Sequence, residues 1–237
     1  MSVDVDIKKL LEAGVHFGHK TSRWHPKMAT YIHSKRGDSH IIDLTKTVEA
    51  LDVALPVISK VAASGQKVLF VGTKKQMCDI VREAAESVNQ PYVINRWIGG
   101  TLTNSETINK QVKKLHSLEK RMQAGELEKR YSKLEVQRFS EEIEDLNIKY
   151  GGIKDLAGKP GVLFVTSAVT DINAIKEAKV LGIPVVALTD TNVDPTIVDY
   201  AIPANDDAIS GVKLILDYVV EAVKQGISAK DKKVKGE

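Results

Sequence analysis

The feature that most constrains the fold is a repeated pattern, in which a short apolar run is followed by a helical stretch. Three such runs cover 67–72 (KVLFVG), 161–166 (GVLFVT) and 183–190 (IPVVALTD). The helical stretches after them cover 75–87, 171–181 and 206–224. A continuously apolar run is typical of a strand buried on both faces, and strands alternating with helices form parallel sheets through right-handed crossovers. The pattern predicts an α/β fold of three layers, with helices on both faces of a doubly wound parallel sheet of about five strands.

A further strand–helix unit is predicted over 40–64, HIIDLTKTVEALDVALPVISKVAAS. Its helical part contains Pro56, which lacks a backbone N–H and clashes with the preceding turn of a helix. We therefore expect a kink or an interruption at Pro56.

Residues 105–150 do not follow the strand–helix pattern and are predicted to form two helices. One apolar seam consists of Ile108, Val112, Leu115, Leu118 and Met122. A second seam, with a phase slip between its halves, consists of Leu127, Tyr131, Leu134, Phe139, Ile143, Leu146 and Tyr150. Charged residues fill most other positions, which favours an antiparallel helical hairpin of coiled-coil type with solvent-exposed outer faces.

These segments predict the domain organisation. An α/β body is formed by 1–104 and 151–226, and the hairpin of 105–150 is inserted into it. The charged C-terminal segment, 227–237, is predicted to be a disordered basic tail.

The composition excludes several classes of protein. Hydrophobic residues make up 43% of the 237, which is ordinary for a globular protein. No apolar run approaches the roughly 18–20 residues that span a bilayer, and the acidic N-terminus lacks a signal core, so we expect no membrane partner. The single cysteine, Cys78, cannot form an internal disulfide, which fits a cytoplasmic location. A net charge of +3 is too small to indicate nucleic-acid binding by itself.

Polar residues follow the predicted strands, at the sheet edge where ligands of α/β proteins bind. In GTKKQ, 72–76, Lys74 and Lys75 together with backbone N–H groups at a helix start could contact phosphate. An ordinary strand-to-helix turn has the same appearance, and neither nucleotide-binding fingerprint is present.

Acidic residues follow the last predicted strands, in DTNVDP at 190–195 and in the Asp206-Asp207 pair. They suit a metal or polyol site, but turn formation and helix capping explain the same composition. If the N-terminal region folds over the strand ends, His19 could join Asp190 and Asp206 in a site for a divalent ion such as zinc. No cofactor is required by this interpretation, and a single cysteine excludes a structural thiolate site.

The segment 15–28, VHFGHKTSRWHPKM, begins a local positive patch and is predicted to be a loop, because it contains Gly18 and Pro26. Its candidates for phosphate contact are Lys20, Arg23, Lys27, Lys35 and Arg36, which face Asp38 alone across residues 16–40. Trp24 and His25 could stack on exposed bases. A second Arg-Trp pair, Arg96-Trp97, opens NRWIGGTLTN at 95–104. A solvated basic face is the alternative for both groups. No nucleophile elbow accompanies Ser22, so no catalytic site is predicted.

The same residues carry a resemblance to a known family. The sequence resembles the bacterial small-subunit ribosomal proteins of the S-two family in LLEAGVHFGHKTSRWHPKM, IIDLTKT, VLFVGTKKQ, RWIGGTLTN, GGIKDL, EAKVLGIPVVALTDTNVDP and IPANDDAI. These segments occur in order from about residue 7 to residue 224.

The resemblance implies a flavodoxin-like sheet with a protruding helical hairpin. It also implies a cytoplasmic, non-enzymatic constituent of the small ribosomal subunit that binds rRNA and has no small-molecule substrate. Such a protein would bridge head and body on the solvent side near the mRNA exit, and would help to dock the S-one protein. On the matching motifs, the resemblance implies rRNA contact for Lys20, Arg23, Trp24, His25, Lys27, Arg96 and Trp97.

Two alternatives remain from the residues alone. A sugar- or nucleotide-phosphate enzyme would use GTKKQ and DTNVDP, although fold analogy does not establish function. An adaptor would bind proteins through the hairpin. RNA binding should weaken steeply with salt, whereas an apolar hairpin interface should not.

Overall fold

The computed structural model describes residues 3–156 and 158–234, the side chains of 231–234 excepted. The strands are β1 (Phe17–Lys20), β2 (Ile32–Arg36), β3 (Ser39–Ile42), β4 (Val68–Val71), β5 (Tyr92–Val93), β6 (Val162–Val165), β7 (Val185–Thr189) and β8 (Tyr200–Pro203). The α-helices are α1 (Ile7–Glu12), α2 (Leu44–Ala63), α3 (Cys78–Ser87), α4 (Ser105–Gln123), α5 (Glu126–Arg130), α6 (Lys133–Tyr150), α7 (Ile172–Val180) and α8 (Ile209–Val234). Short 3-10 helices cover Thr21–Arg23, Pro26–Tyr31, Gly151–Ile153 and Pro195–Ile197.

The centre of the fold is a five-stranded parallel sheet in the order β5-β4-β6-β7-β8. Strands β4 and β6 are buried at every position and pair Phe70 with Phe164. Alternate residues of these strands face opposite sides of the sheet, as the pleat requires. Phe70 and Phe164 pack against α2, α3 and α8, whereas Leu69 and Leu163 pack against α7 and the base of the hairpin. The predicted three-layer α/β fold is confirmed.

The strand predicted at the start of 40–64 is present but belongs to another sheet. It is β3, the central strand of an antiparallel sheet in the order β1-β3-β2. The segment 15–28 is likewise not a plain loop, because it contains β1 and 3-10 helices. Strand β2 is mostly exposed and rich in polar residues, which fits an antiparallel sheet with a solvated face rather than a buried parallel strand.

Helix α2 runs without interruption through Pro56, so of the two predicted outcomes, a kink or an interruption, the interruption is wrong. Pro56 and Asp52, one turn earlier, are both exposed. Water can therefore satisfy the Asp52 carbonyl that lacks an intrahelical donor.

The hairpin consists of α4 and α6, with the short α5 between them. Leu115, Leu118 and Leu146 form its small separate core, and the Asn147 side chain donates to Glu119 at 2.9 Å. The chain turns at Gly125, where φ is +63°, and starts again at Ser132, whose side chain forms a capping box with Glu135. This restart accounts for the predicted phase slip.

The C-terminal helix α8 continues to Val234. The prediction of disorder from residue 227 is therefore wrong for 227–234, while 235–237 lie outside the described residues. Ile227 packs against the core, which explains why the helix does not end earlier. Among the helices that the structure describes, none has the length and apolarity needed to cross a bilayer.

Candidate functional site

The antiparallel sheet of β1–β3, here called the N-terminal sheet, is fixed against the carboxyl ends of β7 and β8. The backbone N–H of His19 donates to Thr191 Oγ1 at 2.9 Å, and the backbone N–H of His25 donates to the Thr191 carbonyl at 2.7 Å. The Asn205 N–H donates to the Val15 carbonyl at 3.0 Å. A Cβ on Gly18 would lie 2.6 Å from Thr191 Cγ2, so the close approach requires glycine there.

This docking brings four charged side chains from distant parts of the sequence into one cluster, which we call the strand-end cluster: His19, Lys74, Asp206 and Asp207. Lys74 Nζ lies 2.8 Å from Asp206 Oδ1 and 2.8 Å from Asp207 Oδ1. His19 Nε2 lies 3.6 Å from Asp207 Oδ2. Asp206 is 2% exposed and accepts a 2.6 Å hydrogen bond from the Ser167 hydroxyl.

Asp190 lies beneath this cluster and holds His19 in place. His19 Nδ1 is 3.0 Å from Asp190 Oδ2, and the other carboxylate oxygen accepts from the Thr191 N–H at 2.5 Å. The hydrogen bond with Asp190 raises the pKa of His19, against the opposing effect of burial. When His19 is neutral, a proton on Nδ1 leaves the Nε2 lone pair directed towards the cluster.

Burial raises the pKa of Asp206, although Lys74 and Ser167 both favour its ionised form. Burial also opposes the charge of Lys74, but its contacts with Asp206 and Asp207 outweigh that effect and raise its pKa. The ammonium therefore already supplies positive charge to this cluster. Lys74 is half-buried and paired with two carboxylates, whereas Lys75 is exposed, so Lys75 is the more available of the two predicted RNA contacts.

The ligand set that best fits a metal differs from the predicted one. Atoms of His19, Asp206 and Asp207 lie within 4.8 Å of one another. Asp190, predicted as a ligand, contacts His19 Nδ1 instead, the position of a carboxylate that orients a histidine ligand. Asp206 Oδ1 accepts no hydrogen bond in suitable geometry from any described residue, despite its ion pair with Lys74. Nitrogen and carboxylate ligands are those that Zn²⁺ accepts.

The N-terminal sheet and the 3-10 helix that follows β1 carry four exposed cations, Lys20, Arg23, Lys35 and Arg36. Lys35 and Arg36 are neighbours in the edge strand β2 and point to opposite sides of it. None of these four makes an ion pair with another residue in the described ranges. Trp24 is 39% exposed and packs beside His40.

Two predicted contacts of this face have other partners. Lys27 Nζ donates to Asp194 at 2.7 Å and to Thr196 at 3.0 Å, which partly neutralises it. His25 Nδ1 accepts the Lys27 N–H at 3.3 Å and so caps a 3-10 helix.

Trp97 is buried, so its ring is not available for the rRNA contact that the resemblance implies. It is 8% exposed, and its indole N–H donates to Glu177 at 2.9 Å. Glu177 also accepts backbone N–H bonds from Gly100, Leu102 and Thr103, so this carboxylate fixes the 97–103 loop. Arg96, next to Trp97, is exposed.

Two residues of these arrangements were not predicted from the sequence, Ser167 and Glu177, and Asp207 was left out of the predicted ligand set. The Asp-Asp pair was visible, but its second member resembles a helix-start residue. Glu177 has no local signal, because its partners lie more than 70 residues earlier.

Comparison with known proteins decides the family. Residues 10–226 match the family model described as Ribosomal protein S2. The chain belongs to the ribosomal protein S2 family. It is 46% identical over 226 residues to the small ribosomal subunit protein uS2 of Fusobacterium nucleatum, which covers 95% of this chain and 91% of the relative. It is 47% identical over 222 residues to the uS2 proteins of Coprothermobacter proteolyticus and Roseiflexus castenholzii, covering 94% of this chain and 82% and 84% of those relatives.

Membership of the S2 family confirms the resemblance found in the sequence. It makes the chain a ribosomal protein of the small subunit that takes part in translation and is located in the ribosome. The family is one of structural proteins, which agrees with the prediction that the chain is not an enzyme.

Proposed function

We propose that the chain binds small-subunit rRNA through the exposed cations on and beside the N-terminal sheet. The observation that carries the proposal is the set of Lys20, Arg23, Lys35 and Arg36, which are exposed and have no carboxylate partner in the described part of the chain. Lysine and arginine bind phosphate, and Trp24 beside them offers a ring face to an unstacked base. Lys75 is a further exposed candidate at the strand ends.

The finer role that we propose is that of a bridge between the head and the body of the subunit, on the solvent side near the mRNA exit. The long hairpin supports this role, because a helix of about 20 residues extends roughly 30 Å. The neighbouring proteins contacted there would include the S-one protein. We propose that S-one docks at the strand-end cluster, because Asp207 is exposed and offers its carboxylate to a partner.

We further propose that the strand-end cluster binds a divalent ion such as Zn²⁺, through His19, Asp206 and Asp207. Asp190 would orient His19, and Lys74 would have to move from the two carboxylates or share them. Protons compete for His19, so affinity should fall as the pH is lowered.

The RNA proposal is tested with the double variant R23A/R36A. Binding of the purified chain to small-subunit rRNA is measured over a salt series. The variant should show a slope of log K against log salt that is smaller by about 2, one for each lost phosphate contact. K213A/K224A, with two exposed lysines removed from α8, is the charge-matched control and should bind as the unmodified chain does. Salt-independent binding of the unmodified chain would contradict the proposal.

The metal and docking proposals are tested together with D206N and D190A. Isothermal titration with Zn²⁺ should show one site in the unmodified chain, a loss of binding in D206N and about 10- to 100-fold weaker binding in D190A. S-one association with assembled subunits should weaken in D206N. Zinc binding that is unchanged in D206N would refute the metal site. If the unmodified chain binds no zinc but D206N still weakens S-one association, the cluster docks S-one without a metal.

A further inference from the structure

A second cationic surface lies at the base of the hairpin. It is a cleft of about 510 Å³ between α3, the segment after β5 and the end of α6. The charged residues that line it are Arg82, Glu86, Arg96, Lys149 and Lys154. Among the described residues, four cations and one carboxylate line this cleft, although the chain as a whole is almost neutral.

The cations of this hairpin-base cleft are available to an anion. Arg96 makes no ion pair with any residue that the structure describes. Arg82 lies 3.5 Å from Asp79, and Lys154 lies 3.4 Å from Glu119, both long contacts. Lys149 pairs with Asp145 on its own helix. The pairs of Arg82 and Lys149 are exposed and contribute little, so exchange of their carboxylates for phosphate costs little, whereas Lys154 and Glu119 are half-buried.

The only carboxylate that lines the cleft is already engaged. Glu86 accepts a 2.7 Å hydrogen bond from the Tyr92 hydroxyl, which directs it along the wall. The Asn95 side chain donates to the Ile148 carbonyl at 2.9 Å and ties the segment after β5 to α6. A Cβ on Gly152 would lie 2.2 Å from the Tyr92 carbonyl oxygen, so the two walls are in direct contact. The cleft is therefore a preformed feature.

The sheet order separates this cleft from the N-terminal sheet. Arg96 follows β5, which is one edge strand, whereas the N-terminal sheet is fixed to residues after β7 and β8 at the other end. Four strand spacings put these two edges roughly 19 Å apart.

We propose that the hairpin-base cleft binds the phosphates of a second rRNA segment. The proposal rests on the proposed rRNA binding and adds a separate contact to it. RNA is favoured over an acidic peptide, because two guanidinium groups suit bidentate phosphate contact and the lining is mostly polar.

The test compares two matched double variants, R82A/R96A in the cleft and R23A/R36A on the N-terminal sheet, with K213A/K224A as the control. All six side chains are exposed, so folding should be retained. For R82A/R96A we expect about tenfold weaker rRNA binding at moderate salt and a salt slope smaller by about 2. Hydroxyl-radical footprinting should show that each arginine pair protects a different set of nucleotides.

Each other outcome overturns the inference in a distinguishable way. If the unmodified chain does not bind rRNA with a salt-dependent affinity, the proposed function itself fails. If it binds but R82A/R96A behaves as the control, only the cleft fails as an RNA site. Unchanged RNA binding combined with weaker incorporation into subunits would assign the cleft to a neighbouring protein instead. If both arginine variants lost protection of the same nucleotides, the cleft and the N-terminal sheet would form one continuous RNA site.

Discussion

At the scale of single residues, two carboxylates determine the geometry around the site, the half-buried Glu177 and the buried Asp190. Glu177 accepts five hydrogen bonds, from the Trp97 indole, three backbone N–H groups and the Thr103 hydroxyl. Asp190 holds His19 and Thr191 together. Both carboxylates connect parts of the chain that are distant in sequence.

Replacement of Glu177 should loosen the 97–103 loop. We expect E177A to lower the free energy of unfolding by about 2 kcal/mol, because charge-assisted hydrogen bonds are lost and N–H groups are left unpaired. Urea denaturation measures this loss, and K176A, at the exposed neighbouring position, should change the free energy of unfolding by less than about 0.5 kcal/mol.

Burial opposes ionisation of Glu177, but its hydrogen bonds outweigh that effect and lower its pKa. The stabilisation should thus be present above the ordinary glutamate pKa and be lost as the pH falls through the lowered value.

The raised pKa of His19 makes stability depend on pH in the opposite direction to Glu177. A group whose pKa is higher in the folded state stabilises that state most below its unfolded pKa, and the benefit is lost as the pH rises through the folded value. The stability advantage of the unmodified chain over H19Q should therefore be largest below the ordinary histidine pKa and decrease as the pH rises through the raised value. Urea denaturation at a series of pH values measures it. An advantage that is constant or grows with pH would contradict the assignment of the His19–Asp190 pair.

At the scale of elements, docking of the N-terminal sheet depends on a glycine in β1. G18A should lower the free energy of unfolding by about 1–3 kcal/mol, because the new Cβ overlaps Thr191 Cγ2. The double variant G18A/T191S removes that methyl group and should recover part of the loss. G99A is the control, since a Cβ there meets no atom within 4 Å. Equal losses in G18A and G18A/T191S would show that the overlap is not the cause.

Sequence patterns identified the elements that differ most from their surroundings. The continuously apolar β4, β6 and β7 and the first hairpin seam were predictable, because residues buried on both faces of a sheet or along one side of a helix recur at regular spacing. The second seam was only partly correct, because Leu134 is 61% exposed and Tyr131 is 37% exposed. The two residues of β5 are too few to show a regular spacing, and β3 was assigned to the wrong sheet because pairing partners are not encoded locally. His19, Asp190 and Asp206 were grouped correctly as neighbours, since strand ends converge. The burial of Trp97 depends on Glu177, and no local pattern indicates that contact.

At the scale of the whole molecule, the N-terminal sheet and residues 190–205 form one unit. The docking bonds have the N–H groups of His19, His25 and Asn205 as donors. We expect these three amides to exchange with one shared opening free energy in native-state hydrogen exchange, because none of the bonds survives separation of the two parts. Exchange of His19 and His25 at lower free energy than Asn205 would show that the N-terminal sheet opens alone.

Because the N-terminal sheet is fixed by residues 190–205, its RNA-binding surface is completed late in synthesis. The arginines and lysines of the N-terminal sheet that are proposed to contact RNA are made among the first 36 residues, but the groups that fix this sheet lie at Asp190, Thr191 and Asn205. At about 5–20 residues per second, roughly 8–34 s pass between synthesis of residue 36 and synthesis of Asn205. A chain released before these residues are made would thus carry the cations on a sheet that is not held in position. Only molecules that include residues 190–205 would present the complete RNA-binding surface.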